Sequence, residues 1–166
     1  SVGCLHVRPI LNMKSNNDVI KMREIAEEAF ELVKKFDGSH SGEHGDGISR
    51  SEFNPIMFGE KLTNAFRELK SLMDPYGIFN PGKIVDAPKM DDRHLFRFSP
   101  GYTASDFKTE LDWSTWSGSS NGFQGAVEMC NNNGACRKLQ GGVMCPSFRI
   151  TGEEKDSTRG RANSLR

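Results

Sequence analysis

No stretch of this 166-residue chain is apolar over anything near the roughly 20 residues that cross a bilayer, and no charged segment followed by an apolar one opens it as in a secretory signal. Long runs of like charge are missing too. The 22 lysines and arginines balance 22 aspartates and glutamates, which argues against nucleic acid or an anionic membrane surface as the main partner. These absences point to a cytoplasmic protein, free or peripheral at the inner face of the membrane, with no transmembrane segment. Apolar residues are also few, at 36%, so part of the chain is expected to lie open or extended. The chain enters at Ser1 without a start signal and is still arginine-rich and helix-like at Arg166, so it reads as a fragment.

What is present is concentrated in Ser41-Gly-Glu-His-Gly-Asp-Gly47, followed by Arg50. Its glycines predict a tight loop. They do not make the phosphate-binding patterns G-x-x-x-x-G-K-[ST] or G-x-G-x-x-G, and Glu43 and Asp46 would repel a phosphate. The adjacent Glu43 and His44 suit a metal-binding carboxylate beside an imidazole that faces substrate. A plain polar turn is the alternative.

Before the loop, Cys4 to Leu11 alternates and is rich in β-formers, predicting a strand that carries His6 and Arg8 on one face. Pro9 puts that strand at a sheet edge or end. Asp18 to Phe36 shows helical spacing, with Asn16 and Asn17 as caps and Gly38 as a left-handed exit. After the loop, Ser51 is expected to cap a short helix over Glu52–Phe58 that Gly59 interrupts. A second helix runs from Glu60 to Met73, and Asp74-Pro75 ends it. Ile78 and Phe79 are expected to pin the Pro/Gly-rich segment 75–82. The fold class is α+β: helices on a partial antiparallel sheet over 1–85, an extended linker over 86–122, and a small cysteine-containing helical segment over 123–166. The linker's aromatics suggest that it lies along another surface, and the Ser/Gly stretch around Trp116 to Gly122 is its most mobile part.

Cys130 and Cys136 are six apart and Cys145 precedes Pro146, a degenerate echo of the bacterial ferredoxin run C-x2-C-x2-C-x3-C-P. Asn133 stands where the second cysteine would be. The three thiols suit an iron–sulfur centre with an outside ligand, a tetrahedral zinc site with one further ligand, or free cysteines in a reducing compartment. Cys4 reads as a small packing residue.

Gly42-Glu-His-Gly-Asp-Gly47 with Arg50, then Asp74-Pro-Tyr-Gly-Ile-Phe-Asn-Pro-Gly-Lys83, resembles the C-terminal end of FAD-linked oxidases of the vanillyl-alcohol-oxidase superfamily, nearest to the D-lactate and D-2-hydroxyglutarate dehydrogenases and the glycolate oxidase flavin subunit. Cys130 through Phe148 and Ser157-Thr-Arg-Gly-Arg-Ala162 resemble the start of a ferredoxin-type domain fused behind such an oxidase. The resemblance implies oxidation of a small D-2-hydroxy acid, with FAD held mostly by a missing N-terminal domain, and an unspecified electron acceptor. It implies a 4Fe-4S cluster with Cys130, Cys136 and Cys145 among its ligands, and a divalent metal such as zinc at His6 and Glu43. A further metal-binding histidine of the family would fall upstream of Ser1, so half the metal site is expected to be missing. His44 matches the base that takes the hydroxyl proton. Arg8 is a candidate clamp for the substrate carboxylate, and Asn80 and Lys83 are candidates for approaching the flavin. The competing readings are a non-catalytic metal-binding or electron-transfer adaptor with zinc on the cysteines, and a purely structural interaction module.

Overall fold

A computed structural model describes residues 3–103, 108–115, 122–142 and 144–165. It divides into two compact units, Ser1–Pro100 and Gly101–Arg166. The stretch 116–121, expected to be mobile, and the aromatic residues Phe107 and Trp116 lie outside the described residues.

The first unit is built on α1 (Asn16–Lys35), α2 (Gly47–Arg50) and α3 (Asn54–Met73), with a 3-10 turn at Ser51–Phe53 between the last two. Helix α1 forms where the apolar spacing predicts and buries Val19 and Phe30. Its ends differ from expectation. No side chain caps its N-terminus; instead Asp18 accepts the Asn12 N–H at 2.6 Å, and Asn16 accepts from Arg93 at 3.1 Å. At the other end Asp37, not Gly38, takes the left-handed conformation (φ 53°). The N–H of Gly38 closes on the Val33 carbonyl at 2.9 Å and that of Asp37 on Lys34 at 3.1 Å, the paired bonds of a Schellman ending. Gly38 serves that ending by size, since a Cβ there would lie 3.2 Å from Val33 Cγ1.

Gly59 breaks α3 as its sequence predicts. With φ 79° and ψ 163° it lies in a region that residues with a side chain avoid, and Thr63 Oγ1 donates to the Gly59 carbonyl at 2.9 Å across the kink. Ser51 is not a cap: its hydroxyl donates back to the Gly47 carbonyl and accepts the Ile84 N–H at 3.1 Å, tying α2 to the chain beyond α3. Asp74 ends α3, and it, rather than the apolar pair, pins the following loop. Its carboxylate accepts the N–H groups of Ile78 and Phe79, both at 2.9 Å, and pairs with Lys70 at 2.6 Å, whereas the side chains of Ile78 and Phe79 are exposed.

The strand expected at Cys4–Leu11 is absent, and the described residues contain no strand, so the sheet half of the α+β expectation is not seen. Residues 4–11 run without regular structure, with Leu5, Val7 and Ile10 exposed. The alternating pattern is there, but a strand needs a neighbour's ladder of hydrogen bonds, and among the described residues none lies alongside.

Residues 86–100 belong to the first unit. Arg23 of α1 forks onto Glu52 with two 3.2 Å bonds and reaches Asp91 at 2.7 Å, while Glu52 also accepts the Met90 N–H at 2.8 Å. Lys14 sits 4.4 Å over the Phe98 ring.

The second unit holds α4 (Phe123–Glu128), α5 (Pro146–Thr151) and α6 (Thr158–Leu165), with 3-10 turns at Ala135–Arg137 and Glu154–Asp156. Cys136, Cys145 and Phe148 form its buried cluster. Ser157, fully buried, caps α6 by accepting the Gly160 N–H at 2.9 Å. Among the described residues no helix is long and apolar enough to cross a membrane.

Candidate functional site

The loop between α1 and α2 turns on Gly45 and Gly47, whose φ angles of 75° and 56° suit glycine, and so directs Glu43 and His44 outward. Arg50 steadies it from α2, its guanidinium donating to the Gly45 carbonyl at 3.3 Å. The irregular segment near the N-terminus brings His6 to the same place. Glu43 Oε1 lies 2.6 Å from His6 Nε2 and 3.3 Å from His44 Nε2, and the two imidazole rings are 5.6 Å apart. One donor atom from each residue falls within 4.8 Å of the others.

Two imidazoles and a carboxylate are the donors a borderline divalent cation takes, and all three side chains are open to incoming ligands. Zinc bonds of about 2.0–2.2 Å in tetrahedral geometry place neighbouring donor atoms roughly 3.3 Å apart. The His6–Glu43 spacing, a hydrogen bond at 2.6 Å, needs to open by less than about 1 Å to meet this, and His44 Nε2 lies beside the pair, 3.3 Å from Glu43. The residues present therefore fit a divalent metal.

The other expected site residues are not drawn into this cluster. Arg8 is exposed on the segment that carries His6 and makes no ion pair among the described residues. Asn80 and Lys83 lie exposed beyond α3, with Lys83 Nζ 3.3 Å from Asn80 Oδ1, a bond within their own turn.

In the second unit none of the three cysteines is joined in a disulfide. Cys136 and Cys145 are buried together, and Cys130 is half-buried with its Sγ 3.7 Å from Asn132 Oδ1. Among the described residues the three sulfurs do not all fall within 4.8 Å of one another, wider than the roughly 3.8 Å between thiolates on one tetrahedral zinc. Asn133 is a turn residue, accepting the Ala135 N–H at 2.9 Å. The Cys145 thiol is brought down to about 7 by the Ser147 hydroxyl, 3.5 Å away, and then by the Phe148 amide; the Asp156 carbonyl, 3.1 Å from Sγ, receives the proton of the neutral form. Soft donors and a readily formed thiolate suit iron–sulfur chemistry, but the set is one ligand short of four.

One residue of the site region escaped the sequence reading. His40, at the entry to the loop, is buried against Phe30 and Phe53 and bonds to the Arg50 carbonyl. Its only signal was a histidine between the end of an amphipathic helix and the first glycine of the loop.

The family model described as FAD linked oxidases, C-terminal domain, matches residues 2–84. The chain is 35% identical over 170 residues to D-2-hydroxyglutarate dehydrogenase of Escherichia coli (strain K12), covering 99% of this chain and 15% of that protein. It is 37% identical over 165 residues to the Pseudomonas putida protein of the same name, covering 99% of this chain and 16% of that one. Glycolate oxidase subunit GlcD of Bacillus subtilis (strain 168) is 27% identical over 82 residues, covering 49% of this chain and 17% of the relative. The chain thus spans about 15% of the length of the first of these relatives. No solved structure matches it. A match that begins before His6 and ends beyond Lys83 takes in His6, Glu43 and His44 together, and this chain belongs to the FAD-linked oxidase family as a C-terminal domain.

Proposed function

We propose that the chain supplies the metal-binding and proton-accepting half of the active site in a flavin-dependent enzyme that oxidises a D-2-hydroxy acid, of the lactate, glycolate or 2-hydroxyglutarate class, to the 2-oxo acid. The observation that carries the reading is the meeting of His6, Glu43 and His44, residues from two separate segments, around a single carboxylate oxygen. The long relatives named D-2-hydroxyglutarate dehydrogenase support the substrate class.

Such an oxidation removes a proton from oxygen and a hydride from the adjacent carbon. When bound, the flavin supplies the hydride acceptor and a divalent cation lowers the pKa of the hydroxyl. His6 and Glu43 would hold the cation. His44, the most exposed of the three, accepts the hydroxyl proton; its Nε2 lies 3.3 Å from Glu43 Oε1. Arg8 would offer a fork to the substrate carboxylate, and Asn80 and Lys83 would be the residues that approach the flavin. Cys130, Cys136 and Cys145 would be thiol ligands of an iron–sulfur centre, which needs a fourth ligand from outside this set.

In the full-length protein, His44→Ala is expected to lower turnover by about 100-fold or more with flavin retained, the usual weight of a general base. Unchanged turnover in a folded, flavin-loaded variant would refute the assignment of His44. Absence of flavin absorbance from the full-length protein would refute the whole reading.

A further inference from the structure

We propose that His40 is a positioning residue that clasps the two ends of the Glu43–His44 loop and so sets the spacing of the donors it presents. The proposal rests on the metal-and-base reading above and adds to it a residue that does not touch the cluster. Phe30 of α1 and Phe53 of the 3-10 turn stack at 5.0 Å, both buried. The His40 ring stands edge-on to them at 5.6 and 6.4 Å, and its side chain is only 6% exposed. That packing fixes the plane of the ring.

Held there, Nε2 lies 3.2 Å from the backbone carbonyl of Arg50 and 3.8 Å from the Asp46 carboxylate. A carbonyl only accepts, so Nε2 carries the proton and donates it. Nδ1 is buried with no hydrogen-bond partner among the described residues. A proton there would be a buried donor without an acceptor, so Nε2 is the nitrogen that carries the hydrogen.

The bond joins residues ten apart, one entering the loop and one leaving it. Inside that closure the Arg50 N–H donates to the Asp46 carbonyl at 3.1 Å and the Arg50 guanidinium to the Gly45 carbonyl at 3.3 Å. Glu43 and His44, which meet His6 but are otherwise exposed, take their order from this clasp and from the core residues Phe30 and Phe53. A loop ordered before binding does not lose that freedom when a cation arrives, so the clasp is felt as affinity.

The test compares the whole chain with His40→Phe, which keeps an apolar ring between Phe30 and Phe53 but lacks the donor, and with His40→Gln, whose amide N–H can reach the Arg50 carbonyl. In the metal-free proteins, amide exchange over residues 43–50 should accelerate about tenfold in His40→Phe while α1 stays protected, and should return toward the native rate in His40→Gln. Zinc(II) affinity should fall about tenfold in His40→Phe and recover in His40→Gln. Nitrogen NMR of the native chain should show the Nε2–H tautomer at His40. Native exchange and native zinc affinity in a folded His40→Phe would overturn the proposal, as would a uniform rise in exchange that includes α1, the mark of a residue that serves only the core. If the native chain takes up no zinc, the metal reading falls, and the exchange comparison alone still decides whether His40 positions the loop.

Discussion

Glu43 is the residue on which the site depends, because one of its oxygens faces both His6 and His44. Asp74 plays the corresponding part for the loop beyond α3. The Lys70 ammonium above all, with the Ile78 and Phe79 amides, holds the Asp74 carboxyl at about 2 against an ordinary 3.8. A carboxyl depressed on folding stabilises the fold fully above its unfolded pKa, and that contribution is lost as pH falls through the folded one. Protection of the Ile78 and Phe79 amides should therefore survive from neutral pH to just below 4 and disappear as pH approaches about 2. In Asp74→Asn it should be weaker at neutral pH and flat across that window. The sequence marks Asp74 as a helix stop; it does not mark it as the loop's anchor, because a turn rich in proline and glycine reads the same whether side chains or a carboxylate hold it. His40 was hidden in a similar way, as a histidine's partner is set by the fold.

Among elements, the helices were the most legible. The spacing of Val19, Met22, Ala26, Phe30 and Val33 needs only its own turn of helix to be recognised, and Gly59 announces its kink by lacking a side chain. The segment from Cys4 to Leu11 was misread because alternation specifies a strand only where a neighbour completes the ladder. Tertiary ties between elements left no pattern at all. Arg23 joins α1 to Glu52 and to Asp91, and these partners lie 29 and 68 residues away. Glu52 is only 13% exposed, so Arg23→Met, which keeps the aliphatic stem, should leave its carboxylate with the Met90 N–H but without its counter-charge and lower stability by about 2 kcal/mol in denaturant unfolding. In the second unit, a Cβ on Gly160 would stand 2.0 Å from the Glu154 carbonyl oxygen. Backbone cannot give way as a flexible side chain does, so Gly160→Ala should cost on the order of 3 kcal/mol, read in the same assay. A cost within error of zero would mean that α6 and the Glu154–Asp156 turn do not meet so closely.

The first unit holds the nitrogen and oxygen donors of the His6, Glu43 and His44 cluster, and the second holds three of the four cysteines. Family membership rests on residues 2–84, and the relatives that match the whole chain are several times longer, so catalysis is proposed for the larger enzyme and the donor cluster is what this chain itself displays. That cluster was legible because its loop motif is local, and the approach of His6 was not legible from spacing, since no periodicity links residue 6 to residue 43.

The most direct test is a cobalt(II) titration of the chain, followed by its visible spectrum and repeated on His6→Ala, Glu43→Gln and His44→Ala. Uptake is expected at a site with imidazole and carboxylate ligation, weakened about tenfold or more by His6→Ala and Glu43→Gln, with a smaller change for His44→Ala, whose proposed role is to accept a proton. Equal uptake by the native chain and Glu43→Gln, or a spectrum dominated by sulfur-to-cobalt bands from the cysteines alone, would contradict it.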